Sequence, residues 1–255
     1  MLQGIVKFRA RIVEAGKRLT VPLFDFNPNQ PGVEKVEIEG PGGNEILTAV
    51  YLTSVTTEEA GISIATKVHM AAIDRISFYQ DSAIENGHIT ETQFSSTDPP
   101  PAGQYRITPG TSYLNSWADA PTVALGLSDT AALKADLEQA APPGERNFPL
   151  FRSALQSTSP VEKFMHLYNL LLMFFDDEQR GAQGRLDEFI RREEPGVALT
   201  PHPFWPKVDE TLYTRLRNEL AHNRKGVNLN DTKVKMEQYL SGLVSLTKRA
   251  IELHS

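Results

Sequence analysis

The chain has 255 residues, 40% hydrophobic and 23% charged, with a formal net charge of −6, a composition that fits a globular protein with material for two cores. It contains no cysteine, which excludes a disulfide framework, a thiolate metal site and a cysteine nucleophile. No apolar run nears the roughly 20 residues that span a bilayer, and the opening MLQGIVKFRARIVEAG has no hydrophobic signal core, so a cytoplasmic location and no membrane partner are expected.

The first hundred residues read mainly as strands. Apolar and basic residues alternate from Val6 to Ile12, the pattern of a strand buried on one face. Further strands are expected at Lys35 to Glu39, ended by Gly40-Pro41-Gly42-Gly43, and at Glu45 to Val55. The glycine-rich turn lacks the Gly-Lys-Ser/Thr of a phosphate loop. Thr56-Thr57-Glu58-Glu59 opens a helix with acids in its first turn, followed by Ile62, Ala65, Val68, Ala72, Ile73 and Ile76 at helical spacing. Between Ser95 and Gly110 the chain is polar and proline-rich, a linker in which Gln104 to Thr108 is a short candidate strand.

From Ser128 onward the periodicity is helical. Ser128-Asp129-Thr130 starts a helix that Pro142-Pro143-Gly144 stops, and Ser159-Pro160-Val161-Glu162 starts another, apolar nearly all round, that should be the central buried helix. Helices are also expected over Arg185 to Arg192, Val208 to Asn223 and Asp231 to Leu253, with Pro201-His202-Pro203-Phe204-Trp205-Pro206 as a stiff loop. The fold class is therefore α+β: residues 1–120 form a mixed strand and helix domain of unknown role, and residues 121–255 an all-α up-down helical bundle.

Charge is uneven between the halves. Residues 128–255 carry 17 Lys+Arg against 18 Asp+Glu, and near Arg217 the cations Arg215, Arg224 and Lys225 face only Glu219, a basic patch able to hold phosphates. Leu212, Leu216 and Leu220 form a stripe that should face the bundle core, which puts Asn218 and Ala221 on the outer face. Asn218 and His222, four apart, allow the amide to orient the imidazole, and Gly226 suggests that the helix ends near His222. His166, within an apolar helix, is expected in the core with a hydrogen bond. His202 and Trp205 form either a rigid brace or a surface for a base, the brace being the simpler reading. Asp176-Asp177-Glu178 reads as a solvated helix end rather than a cation site.

The hexapeptide Arg217-Asn218-Glu219-Leu220-Ala221-His222 resembles the motif of the HEPN superfamily, Arg-x4–6-His with a polar residue after the Arg. Glu162-Lys163-Phe164 opening an apolar helix, and the run Glu210 to Asn218, extend the resemblance through the second half, toward a branch that includes proteins labelled methylamine utilisation protein J. The spacing alone carries little: Arg249 and His254 also satisfy it, as do Arg215 and His222. Asn218 is what narrows the match. The resemblance implies a metal- and cofactor-independent endoribonuclease, in a toxin or defence setting, whose two motif copies meet across a homodimer. Its partners would be RNA, a second copy of the chain and a regulatory protein. Arg217, Asn218 and His222 would be catalytic, with Arg215, Arg224 and Lys225 holding phosphate. The products would be a 2′,3′-cyclic phosphate and a 5′-hydroxyl. The alternative is a non-catalytic module of the same shape that binds RNA or a partner protein.

Overall fold

The computed structural model describes residues 1–13, 20–41, 43–97, 127–176, 182–205, 207–222 and 226–254. The chain divides into two compact units, Met1–Ala140 and Ala141–Ser255. The first unit holds β1 (Leu2–Arg11), β2 (Thr20–Phe26), β3 (Val33–Pro41), β4 (Glu45–Val55), α1 (Glu58–Gln80), β5 (His88–Ser96) and α2 (Leu127–Glu138). Its five strands pair antiparallel in the order β2-β3-β4-β1-β5. Period-two alternation turns Val6, Phe8 and Ala10 of β1 inward with Val36 and Ile38 of β3, where they join Ala65, Val68, Ala72, Ile73 and Ile76 of α1 in one core. The opposite sheet face is laced by polar pairs, Lys7 to Glu91 at 2.9 Å and Tyr51, whose hydroxyl donates to Glu37 at 2.6 Å. Burial and that bond push the Tyr51 phenol up to about 12.

Two strands escaped the sequence pattern. β2 contains Pro22, which cannot donate to a ladder; it is tolerated because β2 is an edge strand whose register shifts between Val21 and Phe24. The other, β5, is the opposite edge and mostly polar. The candidate strand at Gln104 to Thr108 lies outside the described residues.

The division falls after Ala140 rather than near residue 120. The reason is α2, which belongs with the sheet: Leu133 and Leu137 enter its core, and Arg75 Nη1 donates to the carbonyls of Leu137 (2.6 Å) and Gln139 (2.9 Å) at the helix C-terminus. A guanidinium there satisfies carbonyls that the helix itself leaves open.

The second unit contains a 3-10 turn (Glu145–Asn147), α3 (Phe148–Gln156), α4 (Pro160–Met173), α5 (Ala182–Glu193), β6 (Leu199–Pro201), β7 (Asp209–Thr211), α6 (Leu212–Ala221), α7 (Leu229–Gln238) and α8 (Leu240–Leu253). As expected, α4 is central; it contacts α3 and each of α5 to α8. Phe164, Leu167, Tyr168, Leu170 and Leu171 are its buried face, whereas His166 is exposed and is not a core residue. Three expectations are corrected. The unit is not all-α, since β6 and β7 form an antiparallel hairpin. The helix expected from Val208 starts at Leu212, because Asp209–Thr211 is the second strand of that hairpin. The helix expected from Asp231 to Leu253 is two, broken at Tyr239, whose φ of −98° and ψ of 5° lie outside helical geometry.

Candidate functional site

The site is built where the hairpin runs into α6. Thr211 is at once the last residue of β7 and the N-cap of α6, its hydroxyl accepting from Thr214 N. Asp187 of α5 fixes this junction from behind. One of its oxygens, Oδ1, accepts from Thr211 Oγ1 (2.6 Å), Thr211 N (3.2 Å) and Thr214 Oγ1 (2.6 Å). Because the Thr214 hydroxyl donates its hydrogen bond to Asp187, it accepts from Tyr168 at 2.9 Å. Burial raises the Asp187 carboxyl above the usual carboxylate range, and burial also holds the Tyr168 phenol up.

The far end of α6 is as expected: the helix stops at Ala221, His222 is its C-cap with φ −108°, and Gly226 lies beyond it at φ +79°. The imidazole of His222 is exposed. It opens onto a cleft of about 940 Å³ between α6 and the hairpin loop, lined also by Arg215, Thr200, His202, Phe204, Trp205 and Gln183.

The Leu stripe is only part of the buried face. Leu216 is buried with Tyr213 and Thr214, while Leu212 and Leu220 are half-buried. Asn218, placed by helical geometry on the outer face, is only 3% exposed because the hairpin covers that side. Its amide does not reach His222 and so does not orient it. Instead Nδ2 donates to Glu210 Oε1 at 2.9 Å, and Oδ1 accepts from Arg217 Nη1 at 3.0 Å. The only bond between residues 218 and 222 among the described residues is the backbone one, His222 N to Asn218 O at 3.1 Å. Arg217 lies with its guanidinium carbon 5.9 Å from the centre of the Tyr168 ring and does not line the cleft. Arg217 and His222 are therefore not brought together in one chain.

Arg215 does share the cleft with His222. Its Nε donates to Glu219 at 2.6 Å and its Nη1 to Thr200 at 3.1 Å, which leaves Nη2 without a protein partner among the described residues. Glu219 is buried and also accepts from Thr232 of α7 at 2.8 Å. A second buried carboxylate, Glu210, also lines the cleft, with Oε1 3.5 Å from His202 Nε2. The basic patch is thus more balanced than the local sequence implied. Arg224 and Lys225 lie outside the described residues.

No protein-family model matches the sequence, and comparisons with curated proteins and with solved structures find no match.

Residues that the sequence did not single out are Asp187, Glu210 and Thr200. Thr200 and Glu210 sit on the hairpin, whose three-residue strands leave too short a period to read, and Asp187 lies on α5 as a charged residue that the apolar pattern does not register. The decoy pair is structural: Arg249 reaches Glu193 and Glu252, and the His254 ring packs edge-on against Phe175 at 4.9 Å. His69 is buried against Phe8, ring to ring at 4.3 Å. Asp177 and Glu178 lie outside the described residues.

Proposed function

We propose that the second unit is a metal-independent endoribonuclease of the HEPN type, acting as a homodimer. The observation that carries this reading is the cleft that exposed His222 and Arg215 both line, together with the aromatic side chains of Phe204 and Trp205. An imidazole can both take up and give up a proton under mild conditions, which suits it to general acid–base catalysis. One His222 takes the proton of a ribose 2′-hydroxyl as its oxygen bonds to phosphorus. The bond from phosphorus to the 5′-oxygen breaks, and the leaving oxygen takes a proton from the His222 of the second chain. The products are a 2′,3′-cyclic phosphate and a 5′-hydroxyl, with no water consumed.

Arg215 is the phosphate ligand in this scheme, its fork already oriented by Glu219 and Thr200. Arg217 and Asn218 hold the hairpin to α6 through Glu210, a positioning role within one chain. Across the dimer, Arg217 supplies charge to the second active centre, and Arg224 and Lys225 add phosphate contacts.

The second reading is a non-catalytic module that binds RNA or a partner protein. It is favoured by the burial of Asn218 in a network that serves packing. Incubating the protein with an unstructured RNA in the presence of chelator separates the two. Cleavage slowed about a hundredfold or more in His222→Ala and Arg215→Ala supports the first, while an intact RNA recovered in a stable complex supports the second.

A further inference from the structure

Trp205 and Phe204 are 64% and 79% exposed, unusual for two adjacent large aromatic side chains. They are not on a loose loop. His202 Nδ1 accepts from the backbone N–H of both Phe204 (3.2 Å) and Trp205 (3.3 Å), and the loop closes with His202 N to Val208 O at 2.7 Å and Val208 N to Trp205 O at 2.8 Å. The His202 ring stacks on Trp205, centroid to centroid at 4.4 Å and 27° between planes. Because Nδ1 is an acceptor, the imidazole proton sits on Nε2, which faces buried Glu210. His202 is therefore a brace, held through Nδ1 by the two backbone N–H groups, with Nε2 3.5 Å from Glu210. It covers one face of the indole, and at 64% exposure Trp205 keeps a large flat apolar surface open to solvent.

Trp205 lines the same cleft as Arg215 and His222. An exposed indole and a guanidinium with an unused Nη2 in one cleft match a flat aromatic ring that carries a phosphate. The volume of about 940 Å³ accommodates such a unit. An anionic lipid surface fits less well, because Glu210 and Glu219 stand in the cleft wall.

We propose that Trp205 is a base-stacking residue: its open face receives the base of a nucleotide unit whose phosphate lies on Arg215. The bicyclic indole overlaps a purine more fully than a pyrimidine, so purines are preferred. This rests on reading the cleft as an RNA site, though not on cleavage.

The test uses the full chain carrying Trp117→Phe, which leaves Trp205 as the sole tryptophan of the two. The probes are adenosine 5′-monophosphate, ribose 5-phosphate and an oligodeoxyadenylate, which lacks the 2′-hydroxyl and resists cleavage. Adenosine monophosphate and the oligomer should quench Trp205 fluorescence saturably. By calorimetry in the otherwise unaltered chain, Trp205→Ala should weaken adenosine monophosphate about tenfold or more, Trp205→Phe should retain most of the affinity, and ribose 5-phosphate should be unaffected by either. Arg215→Ala should weaken both monophosphates. Unchanged fluorescence, or Trp205→Ala binding adenosine monophosphate as tightly as the parent, overturns the proposal. A protein that cleaves RNA without stacking the base refutes this inference alone, and one that stacks but never cleaves refutes the ribonuclease alone.

Discussion

Replacing Asp187 by alanine should dismantle the joint that carries α6. One carboxylate oxygen serves three donors, two hydroxyls at 2.6 Å and the Thr211 amide at 3.2 Å. Leaving a buried donor unsatisfied costs about 1–3 kcal/mol. Two of the three donors are hydroxyls that rotate toward other acceptors, and removing a buried carboxylate recovers part of its desolvation cost, so the net loss should be about 3–5 kcal/mol. Against a total stability of about 5–15 kcal/mol this is a large share. Asp187→Asn keeps the acceptor oxygen and should cost about 1 kcal/mol. The two proteins should also differ in pH dependence. The folded carboxyl titrates above its usual value of 3.8, so the folded state holds the proton more tightly than the unfolded chain. Wild-type stability should therefore fall, relative to Asp187→Asn, as pH rises from about 3.8 through the raised folded value, and stay constant above it. Urea unfolding followed by circular dichroism between pH 3.5 and 7 measures both effects. An Asp187→Ala protein within about 1 kcal/mol of wild type, or a difference from Asp187→Asn that ignores pH, would refute the assignment.

Other perturbations probe the two units separately. Gly144 has a φ of +74°, and a Cβ there would come within 2.6 Å of the Ile251 carbonyl oxygen; Gly144→Ala should cost about 2–4 kcal/mol by thermal unfolding, combining backbone strain with a clash against α8. Arg75→Ala removes the guanidinium from the end of α2, and hydrogen exchange should accelerate through residues 127–138 while the sheet core stays protected. Tyr51 ionises late, near pH 12; ultraviolet titration should show that phenol as delayed, and stability should fall as pH rises from about 10 toward 12, because the folded state favours the neutral phenol. In Tyr51→Phe that dependence should diminish.

How much of the structure is legible in the sequence depends on the length of each element and on the number of its covered faces. β4 matches its expected span residue for residue and α1 begins at its capping threonine, because long elements with one buried face print their period in the sequence. The edge strand β2 does not, since Pro22 masks its pattern. On α6 the helix end at His222 is readable from Gly226 just beyond it, and the exposure of His222 agrees with its place off the core stripe. Asn218 is misplaced by its sequence position, because a helical wheel registers one apolar face and α6 has a second cover, the hairpin, whose polar Glu210 and His202 leave no hydrophobic signature. The same hairpin turns the expected outer face into one wall of the cleft, which Arg215 lines together with His222 and Arg217 does not.

The most direct measurement is single-turnover cleavage of an unstructured RNA by the 255-residue chain in excess chelator, with the product ends mapped. Wild type should yield 2′,3′-cyclic phosphate and 5′-hydroxyl ends. His222→Ala should be slower by about 10²–10⁴-fold, and Arg215→Ala by about 10²–10³-fold. Cleavage that persists undiminished in His222→Ala, or that requires a divalent metal, contradicts the ribonuclease assignment at this site.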